Sequence, residues 1–377
     1  MIVFITIPWF LPAFRAGGPI QSVANLIENF TVNTEYRIFC ADEDLNGEPL
    51  TGIVKNEWTN YNSCTKVWYA EKENLSDVLC KEVANIKPDI LYIIGLFSWH
   101  YNIVPMLFCK ADRKIISVRG MLHPGALSQK RVKKQLFLTG LKILGVASKN
   151  IFHATDVTEA SFIKNEFGAH TKTIIAGNFS KNLKEQLPIH KSPGNLTMVT
   201  VALISPMKNH LMVLEALKLC SENIQYTIYG PVKDEIYWQK CKVLMAELPA
   251  NIKVEYRGEV APELIESVLT QQHVFIMPSK SENFGHAIAE ALSAGKPVIT
   301  SYSTPWKDLE INRAGINAHT NPSALANAIS FFAEMDQVVY NSYVKGSRHY
   351  SEQNNKRTET VEAYHQLFYG KKENIEY

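Results

Sequence analysis

Residues 274–301 constrain the fold of this chain more than any other stretch. The stretch begins with a short apolar run, Val274–Met277, which predicts a strand buried on both faces. A polar loop over 278–283 follows, and apolar residues at helical spacing then predict a helix over 284–294. A second strand is predicted over 297–300. This β-α-β pattern indicates a parallel α/β sheet, a fold that binds ligands at the carboxyl ends of its strands.

Two glutamates in this stretch are candidate ligand-binding residues. Glu282 precedes the predicted helix, and Glu290 lies about a turn and a half inside it. At ~1.5 Å rise per residue the two are on the order of 10 Å apart along the helix axis. Between them lie the backbone N–H groups near Phe284 and Gly285, at a helix N-terminus that attracts anions. A nucleotide sugar, with hydroxyls at each end and phosphates between, would fit. Two solvated surface glutamates are the alternative, and spacing alone does not separate the two interpretations.

The residues themselves carry a family resemblance. The segments SENFG at 281–285, EAL at 290–292 and GKPVI at 295–299 resemble the E-x7-E motif of the family 4 glycosyltransferases. Members of that family are retaining enzymes with the GT-B fold. Their first Glu lies near the donor sugar, and their second binds the nucleotide ribose. The resemblance implies that Glu282 is catalytic and that the donor is bound by Glu282, Asn283, Phe284, Gly285 and Glu290.

Two further loops resemble phosphate-binding parts of the same family. Gly17 and Gly18 follow the first predicted strand and precede a helix, in a reduced form of the family's glycine-rich turn. The resemblance implies that the two glycines bind the donor, at a turn that faces the donor phosphates and the acceptor. A simple pair of loop glycines is the alternative there. The segment SPMKNH at 205–210 resembles the loop whose Arg and Lys clamp the diphosphate, which implies a catalytic and donor-binding role for Lys208.

The diphosphate loop also departs from the family pattern. Leu203 stands where the family has Arg, so one cation is missing beside the leaving group. Arg15 or His210 could compensate for it, or activity could be lower. Gly230 and Gly258 each end a predicted strand, and their backbone would face the nucleotide if the sheet is parallel.

The first half of the chain offers acceptor-side candidates. The segment RGMLHP at 119–124 resembles these glycosyltransferases, and it makes His123 a candidate catalytic residue; His100 is a weaker candidate, because a lone histidine is more often structural. Asp42 and Asp44 form a D-x-D pattern that could bind a metal. This D-x-D pattern lies far from the other motifs. The resemblance implies an enzyme that needs no metal or other cofactor. It also implies that the donor is a UDP- or GDP-sugar.

Composition excludes several classes of protein. The 377 residues are enough for two domains, and the net charge of +2 excludes a strongly polyanion-seeking protein. The six cysteines include no CxxC pair, which favours free thiols in a reducing cytosol. No apolar run reaches the roughly 18 residues of a membrane span. The N-terminus predicts a strand instead of a signal peptide, so a cytoplasmic location is expected.

A basic stretch forms one exception to this balance of charge. Residues 113–155 contain no acidic residue, and lysines and arginines alternate there with leucines, which predicts a basic amphipathic helix. Such a helix could make a peripheral contact with the inner face of an anionic membrane through 129–149, or face a lipid pyrophosphate. A core-packing helix with a solvated basic face is the alternative. Nucleic acid is not an expected partner, since no recognition motif accompanies the stretch.

The sequence therefore predicts an α/β protein of the GT-B type, with two Rossmann-like doubly wound domains facing a central cleft. The predicted domains are 1–185, with the C-terminal helix 356–377 packing back on it, and 186–355. The expected function is retaining transfer of a sugar from a nucleotide-diphosphate sugar to a glycan or polyprenyl-diphosphate-linked acceptor in cell-surface polysaccharide synthesis. The alternatives are a nucleotide-sugar epimerase or phosphorylase of the same fold and a catalytically weak scaffold. A dinucleotide oxidoreductase is disfavoured because no G-x-G-x-x-G follows a strand.

Overall fold

A computed structural model describes residues 1–128, 131–181, 183 and 189–370. The chain divides into two compact units. The first unit is Met1–Phe179 together with the residues from Lys356 onward, and the second is Ser180–Asn355. The domain boundary predicted between residues 185 and 186 lies outside the described residues.

The first unit is built on an eight-stranded sheet. Its strands are β1 (Ile2–Thr6), β2 (Glu35–Ala41), β3 (Thr59–Asn60), β4 (Thr65–Ala70), β5 (Ile90–Ile94), β6 (Arg113–Ser117), β7 (Ile151–Ala154) and β8 (Thr173–Ile175). The order across the sheet is β3-β4-β2-β1-β5-β6-β7-β8, and only the short edge strand β3 runs antiparallel to its neighbour. The sequence analysis did not predict β3 and β4. In β4 buried and half-buried side chains alternate, so it lacks the continuous apolar run of the central strands.

Helices cover both faces of this sheet. They are α1 (Gly18–Asn29), α2 (Leu75–Ile86), α3 (Val104–Leu107) after a π-helical turn at Trp99–Ile103, α4 (Pro124–Ser128), α5 (Arg131–Ile143), α6 (Val146–Lys149) and α7 (Val157–Phe167). The side chains of β1 alternate between the two layers: Ile5 packs into the layer that contains α1, and Phe4 into the layer that contains α2 and α5. The unit is therefore a three-layer α/β/α structure, as a doubly wound parallel sheet requires.

The last described helix belongs to this first unit. Helix α14 (Arg357–Tyr369) buries Tyr364, which stacks on Phe179 with ring centroids 5.4 Å apart. Arg113 Nη1 donates a hydrogen bond of 3.1 Å to the Phe368 carbonyl. The end of the chain thus completes the core of the unit in which the chain begins.

The second unit is built on a six-stranded parallel sheet. Its strands are β9 (Asn195–Val201), β10 (Asn223–Tyr229), β11 (Ile252–Tyr256), β12 (Val274–Met277), β13 (Val298–Ser301) and β14 (Gly315–Ala318). Its helices are α8 (His210–Leu217), α9 (Glu235–Ala246), α10 (Ile265–Thr270) after a 3-10 turn at Pro262–Leu264, α11 (His286–Ser293), α12 (Pro322–Ala333) and α13 (Gln337–Asn354). The strand order is β11-β10-β9-β12-β13-β14, so the direction of winding reverses between β9 and β12. At such a switch point an open α/β sheet forms a ligand crevice.

The β12-α11-β13 unit confirms the pattern predicted from residues 274–301. Strands β12 and β13 are fully buried and pair in parallel. Helix α11 begins at His286 and not at residue 284, because Gly285 takes a left-handed conformation with φ of +78° and forms the N-cap. Gly295, with φ of +73°, follows the helix C-cap, as expected for a glycine at that position.

The basic stretch 113–155 does not form one helix. Arg113 lies in strand β6, and Arg119 lies in a half-buried loop. The helical part comprises α4, α5 and α6, and Gly145, with φ of +65°, separates α5 from α6. Of the membrane-contacting range predicted earlier, residues 129 and 130 lie outside the described residues. Within the described ranges, no helix has both the length and the apolar character needed to cross a bilayer.

Candidate active site

Gly285 and Trp306 shape the loop between β12 and α11. A Cβ atom added to Gly285 would lie 3.0 Å from Glu282 Cγ and 3.3 Å from Ile288 Cδ1. The buried Trp306 indole donates a hydrogen bond of 2.6 Å to the Phe284 carbonyl, and the two rings meet edge to face at 5.7 Å. The loop therefore presents Glu282 and the N-terminus of α11 side by side, where backbone N–H groups attract anions.

Lys208 and Glu282 form an ion pair in the second unit. Lys208 Nζ donates a hydrogen bond to Glu282 Oε2, and the two side chains are only 18% and 15% exposed to solvent. Ser279 Oγ donates a second, longer bond of 3.4 Å to the same carboxylate oxygen. The solvated-surface interpretation of Glu282 is therefore wrong. The arrangement places one cation and one carboxylate at the N-terminus of α11, which suits a ligand that carries both phosphate and hydroxyl groups.

Backbone contacts fix the loop of Lys208 against the loop of Glu282. The Lys280 amide donates a hydrogen bond of 2.8 Å to the Met207 carbonyl, and Asn209 Nδ2 donates one of 3.3 Å to the Pro278 carbonyl. Asn209 has a left-handed backbone with φ of +64° and forms the N-cap of α8. The two loops follow the neighbouring strands β9 and β12, so they meet at the sheet's switch point.

Glu290 is buried in the second turn of α11. Only 5% of it is exposed, so the solvated-surface interpretation fails here also. Burial raises its pKa to about 7, and the positive charge of Lys181 opposes that shift. Near neutral pH the side chain can therefore exist as a carboxylate or as a carboxylic acid. A buried carboxylate gains from hydrogen-bond donors such as ligand hydroxyls.

The predicted glycine turns occur on the neighbouring strands β10 and β11. Gly230 has φ of +138°, and a Cβ there would lie 1.9 Å from the Ala202 carbonyl oxygen, so no other residue fits. The Gly230 amide donates a hydrogen bond of 2.8 Å to the Gly258 carbonyl. Gly258 has φ of +72° with open space around it. The two turns therefore lie together at the carboxyl edge of the sheet, beside the strand that leads to Leu203.

Neither residue predicted to replace the missing family Arg supplies a free cation. His210 is buried, and burial, with Lys208 nearby, lowers its pKa to about 3, so its ring is neutral at physiological pH. Both ring nitrogens of His210 lack a hydrogen-bond partner among the described residues. Arg15 belongs to the first unit, where Nη1 bonds both Glu48 and Asn46. Because Leu203 stands where the family has Arg, Lys208 is the predicted diphosphate-binding cation of the second unit.

Asp44, the second acidic residue of the D-x-D pattern, shapes the loop before the glycine turn of the first unit. Gly17, with φ of +68°, forms the N-cap of α1, and Gly18 is the first residue of that helix. The buried Asp44 carboxylate accepts hydrogen bonds from the amides of Phe14 and Arg15, at 3.0 and 3.3 Å. Asp44 therefore organises the loop before Gly17. Across the described residues, no group of three or more His, Cys, Asp or Glu side chains is placed to hold a metal ion.

His123 lies after strand β6, at the start of α4. Its Nδ1 accepts a hydrogen bond of 3.1 Å from the Gly125 amide, which leaves the proton of the neutral ring on Nε2. Burial lowers its pKa below the usual value, and its ring packs edge to face against Phe162 at 5.3 Å. His123 is therefore neutral near pH 7, with its ring proton on Nε2. His100 instead bonds Ser76 Oγ at 2.8 Å.

Several contacts that build the site were not predicted from sequence. The Lys208–Glu282 pair joins residues 74 positions apart, and the Trp306 bond to Phe284 joins residues 22 apart. No sequence pattern identified Trp306 as a residue of the site. Gly285 itself indicates a tight turn in the sequence. No local sequence pattern, however, indicates which side chains surround that turn.

A family model matches the second half of the chain. Residues 179–357 match the family model described as "Glycosyl transferases group 1". A comparison with curated proteins gives no match.

Solved structures resemble the whole chain. Sucrose-phosphate synthase from Thermosynechococcus elongatus is 17% identical with a TM-score of 0.71, and the likeness covers 98% of this chain and 99% of that one. Anabaena HepE, solved with UDP and glucose, is 14% identical with a TM-score of 0.69, covering 98% and 100%. WaaG, a glycosyltransferase involved in lipopolysaccharide biosynthesis, is 11% identical with a TM-score of 0.68, also covering 98% and 100%. At these identities the likeness establishes the fold, and the predicted GT-B class of two Rossmann-like units is confirmed.

Proposed function

We propose that this protein is a retaining glycosyltransferase that moves a sugar from a UDP- or GDP-sugar to a hydroxyl group. The observation that carries the proposal is the Lys208–Glu282 pair, held at the N-terminus of α11 by two loops that follow adjacent strands. The match of residues 179–357 to a glycosyltransferase family model supports it, as do the folds of the similar structures. No metal or other cofactor enters the proposal.

In the proposed mechanism the second unit binds the donor. Glu290 accepts hydrogen bonds from the ribose hydroxyls, and Gly230 and Gly258 present backbone to the nucleotide. Lys208 and the amides of Phe284 and Gly285 stabilise the negative charge that develops on the departing diphosphate. Such preorganised charge is often the largest contribution to catalysis. Glu282, with Asn283, orients the hydroxyls of the donor sugar beside the same helix end.

The first unit is assigned the acceptor. His123, whose ring proton is on Nε2, is assigned to the acceptor side, and Gly17 and Gly18 are assigned to phosphate binding at the N-terminus of α1. The departing phosphate takes the proton of the acceptor hydroxyl, so the reaction needs no protein base. The acceptor class we propose is a glycan or a polyprenyl-diphosphate-linked sugar in cell-surface polysaccharide synthesis.

The first experiment is a thermal-shift panel of UDP-, GDP-, dTDP- and CMP-sugars, with NAD as control. A ligand that binds only the folded state raises the melting temperature by mass action. One preferred nucleotide sugar is the expected result, and it supplies the donor for acceptor screening. Proton NMR of the sugar released by slow hydrolysis then tests retention, because a retaining enzyme first releases the anomer present in the donor.

A scaffold without turnover is the second candidate, and Leu203 favours it. The predicted substitutes for the missing cation are unsuitable, because His210 is neutral and Arg15 is paired with Glu48. A scaffold would bind no nucleotide sugar, or would bind one without releasing nucleoside diphosphate. The absence of a shift with every sugar nucleotide in the panel would favour this function over the transferase.

A further inference from the structure

Two cysteine side chains of the first unit are in contact with each other. Cys80 lies in α2, and Cys109 follows α3 in the connection between β5 and β6. Their Sγ atoms are 3.3 Å apart, close enough for one thiol to donate a hydrogen bond to the other. A disulfide bond is about 2.05 Å long, so the two sulfurs would have to approach by only about 1.3 Å to form one. Both are free thiols in the structure.

The packing of α2 brings the two sulfurs together. Ser76 Oγ and His100 Nδ1 are 2.8 Å apart, and Ser76 lies four residues before Cys80, so the two α2 residues share one face of the helix. His100 lies early in the β5–β6 connection, in its π-helical turn, and Cys109 lies late in it. One face of α2 therefore contacts this connection at two separate points. Leu79 of α2 is fully buried in the core and anchors that arrangement.

Cys64, in the same unit, has a different environment. It is half-buried, as Cys80 is. Its Sγ atom donates a hydrogen bond of 3.4 Å to Asn62 Oδ1 and lies 3.8 Å from Thr65 Oγ1. Cys64 therefore has oxygen atoms as neighbours where Cys80 has a second thiol, and it provides an internal reference for the reactivity of Cys80.

The two thiols of the pair differ in their access to solvent. Cys80 is half-buried, whereas Cys109 is only 3% exposed. Burial raises the pKa of the Cys109 thiol, as does Cys80 beside it, and the positive charge of Lys114 opposes the rise. Cys109 is therefore protonated near pH 7, and Cys80 is the thiol that an oxidant in solution can reach. These properties suit Cys80 to react first and Cys109 to react second.

We propose that Cys80 and Cys109 form a reversible disulfide site, which is closed by a low-molecular-weight disulfide and reopened by a thiol. Cys80 loses its proton to solvent, and its thiolate attacks one sulfur of the oxidant. This step forms a mixed disulfide and releases the other half of the oxidant as a thiolate. Cys109 then loses its proton, its sulfur attacks Cys80 Sγ, and the second half of the oxidant leaves as a thiolate.

The exchange is balanced without any further reactant. The protein gives up two electrons and two protons, and the oxidant takes up both to become two thiols. The free thiols expected from the sequence are the reduced form of this site. Closure ties α2 covalently to the β5–β6 connection, across 29 positions of sequence. The inference is independent of the proposed function, because the step uses only the two cysteines and the oxidant.

The test is reaction of the reduced full chain with hydroxyethyl disulfide under native conditions, followed by acid quenching and mass mapping of the peptides. In the wild type the expected product is a crosslinked pair of peptides that contain Cys80 and Cys109 and have lost two hydrogen atoms. Cys64 should instead carry mercaptoethanol, because its neighbours are oxygen atoms. Dithiothreitol should restore the free thiols at all three positions.

Single substitutions separate the two roles. In Cys109→Ser the mixed disulfide at Cys80 cannot be resolved. Mercaptoethanol on Cys80 should then reach at least about ten times its wild-type level, since a neighbouring thiol reacts at a high effective concentration. In Cys80→Ser the buried Cys109 should stay a free thiol. Cys64→Ser is the matched control and should leave closure of the pair unchanged. Melting temperatures within a few degrees of the wild type establish that each variant is folded, and Cys109→Ala replaces Cys109→Ser if the latter is not.

Three results would overturn the proposal. In the first, wild-type Cys80 retains as much mercaptoethanol as Cys64, which would make the pair an ordinary contact between core thiols. In the second, Cys80 stays unmodified in the Cys109 variant while Cys64 reacts, so that Cys80 is not the accessible thiol. In the third, the wild type unfolded in urea forms the Cys80–Cys109 crosslink as fast as the folded protein does, so that the fold contributes nothing to closure.

Discussion

Lys208 Nζ donates a hydrogen bond to the carboxylate of Glu282, across two loops that follow the adjacent strands β9 and β12. The pair is mostly buried, at 18% and 15% side-chain exposure. In the proposed mechanism these residues have different targets, since Lys208 binds the diphosphate and Glu282 binds the sugar. The two side chains that the proposal assigns to the donor are therefore paired with each other in this structure.

Removal of Glu282 should separate nucleotide binding from transfer. In Glu282→Ala the Lys208 ammonium loses its carboxylate partner and becomes available to a diphosphate. We expect binding of the nucleoside diphosphate chosen from the panel to survive or tighten, while transfer falls by at least about 100-fold. Isothermal titration calorimetry measures the first quantity, and release of nucleoside diphosphate measures the second. Full activity in this variant would refute the assignment.

The converse substitution, Lys208→Ala, should weaken binding of the nucleoside diphosphate by about tenfold or more, because a charge-assisted hydrogen bond is lost. Lys218→Ala is a matched control, since Lys218 forms an ion pair with Glu247 that is 33% and 53% exposed. Exposed pairs of this kind contribute little to stability. Equal effects of the two lysine substitutions on nucleotide affinity would contradict a special role for Lys208.

Glu290 should make both stability and binding depend on pH. Its pKa in the folded protein is about 7, above the ordinary value of 4.5, so the folded state holds its proton more tightly than the unfolded state does. The contribution to stability is then complete below about pH 4.5 and is lost as the pH rises to about 7. Glu290→Gln should therefore raise the melting temperature relative to wild type, and by more at pH 8 than at pH 5.

The same substitution should weaken nucleotide binding. The carboxylate is the form that accepts two ribose hydroxyls, so the wild-type affinity should increase from pH 6 to pH 8, whereas Glu290→Gln should bind weakly at both. Calorimetry with inorganic pyrophosphate, which has no ribose, provides the comparison. If pyrophosphate affinity falls as much as nucleotide affinity, Glu290 does not bind ribose. Glu263→Gln, at an exposed position, controls for the loss of one charge.

Local sequence patterns predicted strands β12 and β13 of the second unit because these strands are short, apolar and buried on both faces. The β12-α11-β13 unit is the best example, down to Gly295 after the helix. Strand β4 was missed because its alternating side chains give a weak apolar run beside the edge of the sheet. The loss of His210 as a cation could not be predicted either, since the low pKa results from burial beneath Tyr237 and other distant residues. Contacts between loops, such as Asn209 to Pro278, depend on which strands become neighbours.

Gly285 should be essential for the position of Glu282. Alanine there would require a left-handed backbone at φ of +78° and would put a Cβ 3.0 Å from Glu282 Cγ. The backbone strain alone costs about 1–2 kcal/mol. Gly194→Ala is the matched control, because Gly194 has the same φ of +78° with nothing within 4 Å of the added Cβ. Both variants should lose a similar amount of stability in denaturant unfolding, but only Gly285→Ala should also lose transfer activity. Full activity in Gly285→Ala would mean that the turn does not position Glu282.

Leu203→Arg should increase activity, if the proposed diphosphate site is correct. The side chain follows strand β9 in the loop that carries Lys208, at the position where the resembling family has its second cation. A guanidinium there would add a charge-assisted hydrogen bond to the departing phosphate, which corresponds to a gain of roughly tenfold in kcat/KM for the donor. Leu203→Met, similar in size but uncharged, should leave kcat/KM unchanged. Steady-state release of nucleoside diphosphate by the three proteins measures the difference.

A gain with Arg alone would show that the wild-type site operates with one cation fewer than the family pattern. Equal rates in all three proteins would show that the loop at Leu203 does not contact the diphosphate.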